Sequence, residues 1–271
     1  MSLEEFSQAD FDLALKRTIR SLSRGKVALA KPRAILLGGQ SGAGKTTIHR
    51  IKQKEFQGNI IIIDGDSYRS QHPNYLALQK KYGKDSVDYT KSFAGKMVEH
   101  LADELSKQGY HLLIEGTLRT TEVPRETTQL LKSRNYRVSL SLIATKPELS
   151  CLSILIRYEE LHAIDPNQAR ATPKEHHDGI VNHLIDNLRE LENDKLFDQI
   201  QIYQRDRTCI YDSEIDEASA GDVLQNCLFG KWNKVEEEML KFEQERLREL
   251  KSIENNWFVL VGQENQTNTQ K

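Results

Sequence analysis

The chain has 271 residues, enough to bury the core of one α/β domain with appendages. Lys and Arg number 38 against 40 Asp and Glu, so the formal net charge of −2 gives no electrostatic basis for a nucleic-acid or anionic-membrane binder. The three cysteines lack the spacing of a zinc or redox motif, and no stretch reaches the roughly 18 apolar residues of a membrane span. We therefore expect a soluble cytoplasmic protein.

The first part of the chain predicts a helix and then a βαβ unit. Residues 7–23 place apolar side chains at near-helical spacing after Ser7, a residue type that favours the N-cap. Residues 34–37 form a continuous apolar run, which is typical of a strand buried on both faces, and a helix begins near Lys45. Residues 59–63 form a second such run, so strand, helix and strand follow in order.

The middle of the chain continues this alternation. Residues 94–105 carry apolar side chains at i, i+3, i+4 and i+7, which predicts a helix with one buried face. Residues 111–114 and 138–143 indicate a third and a fourth strand, and Pro147 opens the helix that follows. Strands that alternate with helices predict an α/β fold with a mostly parallel sheet.

The segment from 162 to 177 is polar and contains Pro166 and Pro173, which predicts a mobile loop or lid. His176 and His177 in this segment fit no zinc spacing, so both are expected on the surface.

The last third predicts a hairpin and a charged helix. Residues 199–203 and 208–211 are short strand-like runs on either side of a polar turn. Acidic and basic residues alternate after residue 231, which predicts one exposed helix, and the polar end is expected to be disordered. We therefore divide the chain into residues 1–30 (helix and linker), 31–230 (core) and 231–271 (helix and tail).

The strongest motif is a phosphate-binding loop between the first strand and the first core helix. Its sequence matches G-x-x-x-x-G-K-[ST], in which glycines let backbone N–H groups face the phosphates. Lys45 is then expected to reach the β- and γ-phosphates, and the Thr46 hydroxyl to ligate Mg²⁺. The predicted nucleotide-binding residues are Gly39, Gln40, Ser41, Gly42, Ala43, Gly44, Lys45, Thr46 and Thr47. The chain contains no Asp-x-x-Gly, which argues against a GTPase.

Two acidic residues follow the second strand as Asp64-Gly65-Asp66. The carboxyl ends of parallel strands meet at one sheet edge, where open α/β sheets bind ligands. Asp66 is therefore a candidate base for a substrate hydroxyl, and Asp64 a candidate to assist Mg²⁺ or to hold the loop. A capped turn accounts for the same pattern.

Polar residues after the third strand suit a sugar or another polar substrate. They are Glu115, Thr117 and Arg119, although any polar strand end has this appearance. Arg157 and Arg170 are candidates to neutralise charge on a transferring phosphoryl group, and surface salt bridges are the alternative for both.

Five segments together resemble the zeta-toxin family over about residues 10–240. The segments are LLGGQSGAGKTT, IIDGDSYRSQHP, LLIEGTLRT, LIRYEEL and DPNQARATPKEHH. As a set they are far more specific than the phosphate loop alone. The resemblance implies a P-loop kinase that uses ATP and Mg²⁺ to phosphorylate the 3′-hydroxyl of the sugar of UDP-N-acetylglucosamine, which blocks peptidoglycan synthesis.

The resemblance also assigns roles to residues. Lys45 and Thr46 serve nucleotide and metal, Asp66 takes the proton, and Arg157 and Arg170 neutralise phosphoryl charge. The sugar pocket is formed by Glu99, Glu115, Thr117, Arg119 and Thr127. Without the resemblance, Glu99 reads as a solvated residue off the apolar stripe of its helix.

The family further implies a small helical antitoxin that covers the nucleotide site, in an assembly of two toxins with two antitoxins. Direct binding to nucleic acid or membrane is not expected. Two other functions stay open from the residues themselves: transfer to another nucleotide sugar or a nucleic-acid end, and a non-enzymatic interaction protein that acts through its charged C-terminal helix.

Overall fold

A computed structural model describes residues 2–165, 169 and 171–267, with side chains as far as residue 252. Within these ranges six strands form one sheet in the order β2-β3-β1-β4-β5-β6. All neighbouring pairs are parallel except the last, which is antiparallel. The strands are β1 (Arg33–Gly38), β2 (Ile61–Ile63), β3 (Leu112–Glu115), β4 (Arg137–Ala144), β5 (Gln199–Gln204) and β6 (Cys209–Asp212).

Helices cover both faces of this sheet. They are α1 (Gln8–Leu22), α2 (Thr46–Glu55), α3 (Gly65–Tyr68), α4 (Tyr75–Tyr82), α5 (Ser86–Lys107), α6 (Glu122–Ser133), α7 (Pro147–Ile164), α8 (Lys174–Asn193), α9 (Ala220–Phe229) and α10 (Lys234–Thr267). Two short 3-10 helices span Arg69–Gln71 and Gly83–Asp85. None of the described helices is long and apolar enough to cross a membrane.

The core has two layers because side chains of β1 alternate between the two faces of the sheet. Ala34 and Leu36 pack into a large cluster that includes Phe11 of α1 and side chains of α5 and α8. Ile35 and Leu37 pack into a smaller cluster on the opposite face, beneath α2. A strand buried on both faces needs a continuous apolar sequence, which is what residues 34–37 show.

The chain changes direction across the sheet at β1. β3 pairs with one side of β1 and β4 with the other, so a crevice opens beyond the carboxyl end of β1. The predicted βαβ unit, the mostly parallel sheet and the hairpin of β5 with β6 are confirmed. The molecule has the P-loop kinase fold.

Two predictions about the later chain are wrong in part. α7 continues to Ile164 and α8 begins at Lys174, so residues 162–164 and 174–177 are helical and not loop. Proline is a common loop signal, but Pro173 is the N-cap residue of α8, where its missing N–H breaks no helical hydrogen bond. α10 extends to Thr267, beyond the start of the predicted disordered tail, while residues 268–271 lie outside the described ranges.

Candidate active site

The phosphate loop runs from the end of β1 to the start of α2 and depends on glycine at three positions. Gly39, Gly42 and Gly44 have φ of 137°, 76° and 99°, values that side chains rarely adopt. A Cβ on Gly42 would lie 2.1 Å from the carbonyl oxygen of Ser150. The loop therefore follows a path that only this glycine pattern permits, pressed against the first turn of α7.

Buried side chains hold the loop from the α7 side. Gln40 is fully buried and its Nε2 donates to the carbonyl oxygen of Thr145 at 2.7 Å. The Thr145 hydroxyl in turn donates to the carbonyl oxygen of Ala43 at 2.8 Å. Because β4 and β5 pair in register up to Ala144 and Gln204, the residue that follows β5, Arg205, also reaches the loop.

Arg205 braces the same stretch from above. Its guanidinium donates to the carbonyl oxygen of Gly42 at 3.1 Å and to the hydroxyl of Ser153 at 2.7 Å. Burial lowers the pKa of Arg205, because desolvation disfavours the charged guanidinium. A positive charge thus lies directly beside the loop.

Lys45 lies at the centre of the site. Its Nζ is 3.0 Å from the carbonyl oxygen of Gly39 and 3.7 Å from Oε1 of Glu115. The other carboxylate oxygen of Glu115 is 2.8 Å from Nε2 of His49, one turn along α2, although this contact is not aligned as a hydrogen bond. β3 brings Glu115 here because it pairs with Leu37 in register. The lysine is therefore held near where phosphates would lie.

The two aspartates after β2 have different environments. Asp64 is the N-cap of α3, where it accepts hydrogen bonds from the Asp66 N–H at 3.0 Å and the Ser67 hydroxyl at 2.9 Å. Burial, and then the charge of Glu115, raise the pKa of Asp64. Asp66 is more exposed, and its Oδ1 accepts a hydrogen bond from Nε of Arg69 at 2.7 Å.

Arg69 is itself held in place. It donates to the carbonyl oxygen of Val87 at 2.8 Å and to the hydroxyl of Thr90 at 3.1 Å, both on α5. The carboxylate of Asp66 is therefore oriented by an arginine that α5 anchors. The capped turn that the sequence left open is formed by Asp64, while Asp66 faces the cavity.

These groups line a cavity of about 590 Å³ at the carboxyl edge of the sheet. Its wall includes residues of the loop, of β3, of α5 and of α7. Among the predicted residues it contains Ser41, Lys45, Asp64, Asp66, Glu115, Thr117, Arg119 and Arg157. Arg157 donates to the hydroxyl of Thr172 at 3.4 Å, so α7 and the residues before α8 meet at this wall. Acidic and basic groups thus converge on one space large enough for a polar substrate.

Apart from residues of the phosphate loop, three of the predicted catalytic and sugar-pocket residues are not assigned to this wall. Glu99 is exposed on α5, one turn beyond the wall residue Gly95, and Thr127 lies on α6. Arg170 lies outside the described residues. The sugar-pocket roles of Glu99 and Thr127 therefore remain predictions.

Several residues that contact the site were not predicted from the sequence. Arg69 follows Asp66 by three residues, a spacing that favours an ion pair on a helix and could have identified it. His49 follows Lys45 by four and lies on the same face of α2. Arg205 had no local signal, because only the β4–β5 register brings it to the loop.

One histidine prediction is wrong. His177 was expected on the surface, but it is 1% exposed and its Nε2 lies 2.8 Å from the hydroxyl of Ser150. The helical register of α8 turns it inward, whereas a loop would have left it in solvent. His176 is half-buried at the cavity wall, and burial, followed by the charge of Arg119, lowers its pKa.

The residues present fit a nucleotide with magnesium. The glycine φ values open the loop toward an anion, and Lys45 provides the cation that a triphosphate needs. The Thr46 hydroxyl at the start of α2 and the carboxylates of the cavity wall are hard oxygen groups of the kind that Mg²⁺ prefers.

Comparison with known proteins agrees with this geometry. The Zeta toxin family model matches residues 18–216. Toxin PezT of Streptococcus pneumoniae serotype 4 is 67% identical over 250 residues, which cover 92% of this chain and 99% of that protein. Toxin zeta of Streptococcus agalactiae is 35% identical over 267 residues, which cover 93% and 92% respectively.

Solved structures show the same likeness. A structure from the PezAT chromosomal toxin–antitoxin system of Streptococcus pneumoniae superimposes with a TM-score of 0.88 at 65% identity, covering 92% of this chain and all of that one. The native AvrRxo1-ORF1:-ORF2 complex matches with a TM-score of 0.57 at 14% identity, over 89% and 81% of the two chains, which supports the fold alone. This chain belongs to the zeta-toxin family.

Proposed function

We propose that this chain is the toxin of a toxin–antitoxin pair and acts as an ATP-dependent kinase of UDP-N-acetylglucosamine. The observation that carries the proposal is the convergence of Lys45, Asp66, Glu115, Arg119 and Arg157 on one cavity at the carboxyl edge of the sheet. The family, and the name of the PezAT system to which a 65% identical chain belongs, support the toxin role.

The proposed reaction transfers the γ-phosphoryl group of ATP to the 3′-hydroxyl of the amino sugar. Asp66 accepts the hydroxyl proton as the sugar oxygen bonds to the γ-phosphorus, and the bond to the β-phosphate oxygen breaks to release ADP. Lys45 and Arg157 offset the charge that develops on the phosphoryl oxygens. Arg69 supports this role, because it fixes the orientation of the Asp66 carboxylate.

Magnesium would be held by the Thr46 hydroxyl, with Asp64 as a further candidate, and would supply charge neutralisation at the phosphates. Glu115, Thr117 and Arg119 offer acceptors, a hydroxyl and a cation to a sugar diphosphate. Glu99, Thr127 and Arg170 complete the set that the family resemblance assigns.

The proposed partner is a small helical antitoxin that covers the nucleotide site, in an assembly of two toxins and two antitoxins. Such a partner inhibits by occupying the same space as ATP, without a conformational signal. In this proposal the chain works in the cytoplasm, where UDP-N-acetylglucosamine is found.

Incubating the purified chain with Mg-ATP and UDP-N-acetylglucosamine, followed by mass spectrometry of the sugar nucleotide, tests the proposal. We expect the mass of one phosphate to be added, with the position fixed by phosphorus coupling in the NMR spectrum. Lys45→Ala and Asp66→Ala should form no product.

Failure to form product while ATP still binds would reject the acceptor but keep the nucleotide site. A panel of other UDP-sugars and a 5′-hydroxyl oligonucleotide would then identify the acceptor class. Oligonucleotide binding that weakens steeply with salt would favour the nucleic-acid alternative.

A further inference from the structure

A network of buried polar side chains extends from the phosphate loop to α7 and α8. Gln40 donates through Nε2 to the Ser150 hydroxyl oxygen at 3.2 Å, and that oxygen lies 2.8 Å from Nε2 of His177. Nδ1 of His177 lies 3.0 Å from Oδ1 of Asp178. Gln40, Ser150 and His177 are each at most 1% exposed. This network of side chains links the loop to the first turns of α7 and α8.

The donor and the acceptor in each contact of this network can be assigned. Asp178 accepts, and its contacts with Lys174 and His177 lower its pKa, so the carboxylate stays ionised. Nδ1 of His177 must then donate to it, which leaves Nε2 of the neutral ring to accept from the Ser150 hydroxyl.

The competing arrangement is costly. The Ser150 hydroxyl also lies 3.0 Å from the carbonyl oxygen of Pro147, but it has only one proton to donate. If that proton went to Pro147, His177 would have to donate through both nitrogens and become a buried cation, whose counter-charge in this contact, Asp178, is 41% exposed and so offsets it only in part. The neutral ring satisfies the Gln40, Ser150 and Asp178 contacts without that charge.

Ser150, His177 and Asp178 do not act as a hydrolytic triad. Ser150 is fully buried and lies outside the wall of the described cavity, so a substrate has no access to its hydroxyl. Its carbonyl oxygen instead faces Gly42, where an added Cβ would lie within 2.1 Å. A shift of Ser150 would therefore move the phosphate loop directly.

We propose that His177 is a positioning residue for nucleotide binding. Its ring fixes the Ser150 hydroxyl, Ser150 fixes Gln40, and the two hold the phosphate loop in the path that its glycines permit. This inference rests on the proposed function in one respect, which is that ATP is the ligand of the loop.

The test compares two amide substitutions of His177 by direct titration with ATP. In His177→Gln the amide oxygen stands near the former Nε2 and can still accept from Ser150, whereas in His177→Asn the amide lies near the former Nδ1 and faces only Asp178. We expect ATP affinity within about twofold of wild type for Gln, and about fivefold to tenfold weaker for Asn. A role in packing alone gives no reason for Gln to restore affinity.

Ser150→Ala provides the same test if His177→Asn does not fold. It should also bind ATP about fivefold to tenfold more weakly, and the double variant Ser150→Ala with His177→Asn should be no weaker than either single variant. His183→Gln, an exposed histidine on the same helix, is the matched control and should leave the affinity unchanged.

Equal ATP affinities for His177→Gln and His177→Asn, or an unchanged affinity in Ser150→Ala, would overturn the inference alone, provided that wild type binds ATP and Lys45→Ala does not. A wild-type chain that fails to bind ATP would instead overturn the proposed function, and the inference with it.

Discussion

The two flanks of the phosphate loop are built differently. Toward α7 and β5, the side chains of Gln40, Thr145 and Arg205 donate hydrogen bonds to backbone carbonyls, and the first two are buried. Toward the cavity, Lys45 and Asp66 contact other charged side chains and are partly exposed. One flank fixes the shape of the loop, and the other supplies groups that can act on a substrate.

Substitutions on the two flanks should therefore affect different properties of the protein. Changes on the cavity flank should lower the rate of phosphoryl transfer with little effect on folding, because exposed charges contribute little to stability. Changes on the braced flank should weaken nucleotide binding and stability together, because they leave buried groups unpaired or displace the backbone.

The largest effect should come from Asp66→Asn. Loss of the proposed proton acceptor should lower kcat by about 10²- to 10⁴-fold, while the asparagine can still accept a hydrogen bond from Arg69 and keep its orientation. ATP affinity, measured by titration, should stay within about twofold. Equal losses in kcat and ATP affinity would place Asp66 on the binding side and break the comparison.

Gly42→Ala tests the braced flank. The new Cβ meets the Ser150 carbonyl oxygen at a backbone φ of 76°, so we expect unfolding free energy to drop by about 2–4 kcal/mol and ATP binding to be lost. Urea denaturation with ATP titration measures both.

Gly179→Ala on α8 is the control for Gly42→Ala. Among the described residues, no atom outside the backbone of its own helix lies within 4 Å of its added Cβ, and alanine should stabilise the helix by up to about 1 kcal/mol. If Gly42→Ala were as stable as this control and still bound ATP, the loop would be able to accommodate a Cβ at residue 42. That result would contradict its close packing against α7.

Arg205→Met should have a moderate effect. Methionine fills a similar length but removes the hydrogen bonds to Gly42 and Ser153, so we expect roughly tenfold weaker ATP binding. Isothermal titration measures it, with Arg207→Met, in the same turn, as the control. A drop in kcat without a change in affinity would move Arg205 to the chemical flank.

The smallest effect should be the pH dependence of stability that His111 causes. This residue comes just before β3, at the edge of the sheet opposite the site. Nδ1 of His111 accepts a hydrogen bond from the Arg33 N–H at 2.8 Å, and burial, followed in the same direction by the charge of Arg33, lowers its pKa below the ordinary 6.5. The unfolded chain therefore binds a proton first as pH falls. Stability should be full above pH 6.5 and decrease below it.

We expect the His111 contribution to be less than about 1 kcal/mol because the ring is only half-buried. Urea denaturation between pH 7.5 and 5.5 should show a smaller slope in His111→Gln than in wild type. His72 and His176 have lowered pKa values too, so some slope should remain. An unchanged slope would remove His111 as its source.

The sequence by itself determined the chemistry of the loop and most of the sheet. The glycine and lysine pattern after an apolar run can form little else, because φ values of 76° and 99° at Gly42 and Gly44 require glycine. Continuous apolar runs predicted β1, β2 and β3, since strands covered on both faces have few polar positions. The position of a residue at a strand end, or within a segment that resembles the family, was enough to predict Asp66, Glu115 and Arg157, which all line the cavity.

Tertiary structure alone decided what surrounds these residues. Arg205 reaches the loop only through the register of β4 with β5, and His177 reaches Ser150 only because α8 packs against α7. Contacts between residues far apart in sequence leave no local periodicity, so no pattern in the chain could have predicted them. The residue type alone does not show whether a histidine is buried or exposed, because tertiary packing decides it.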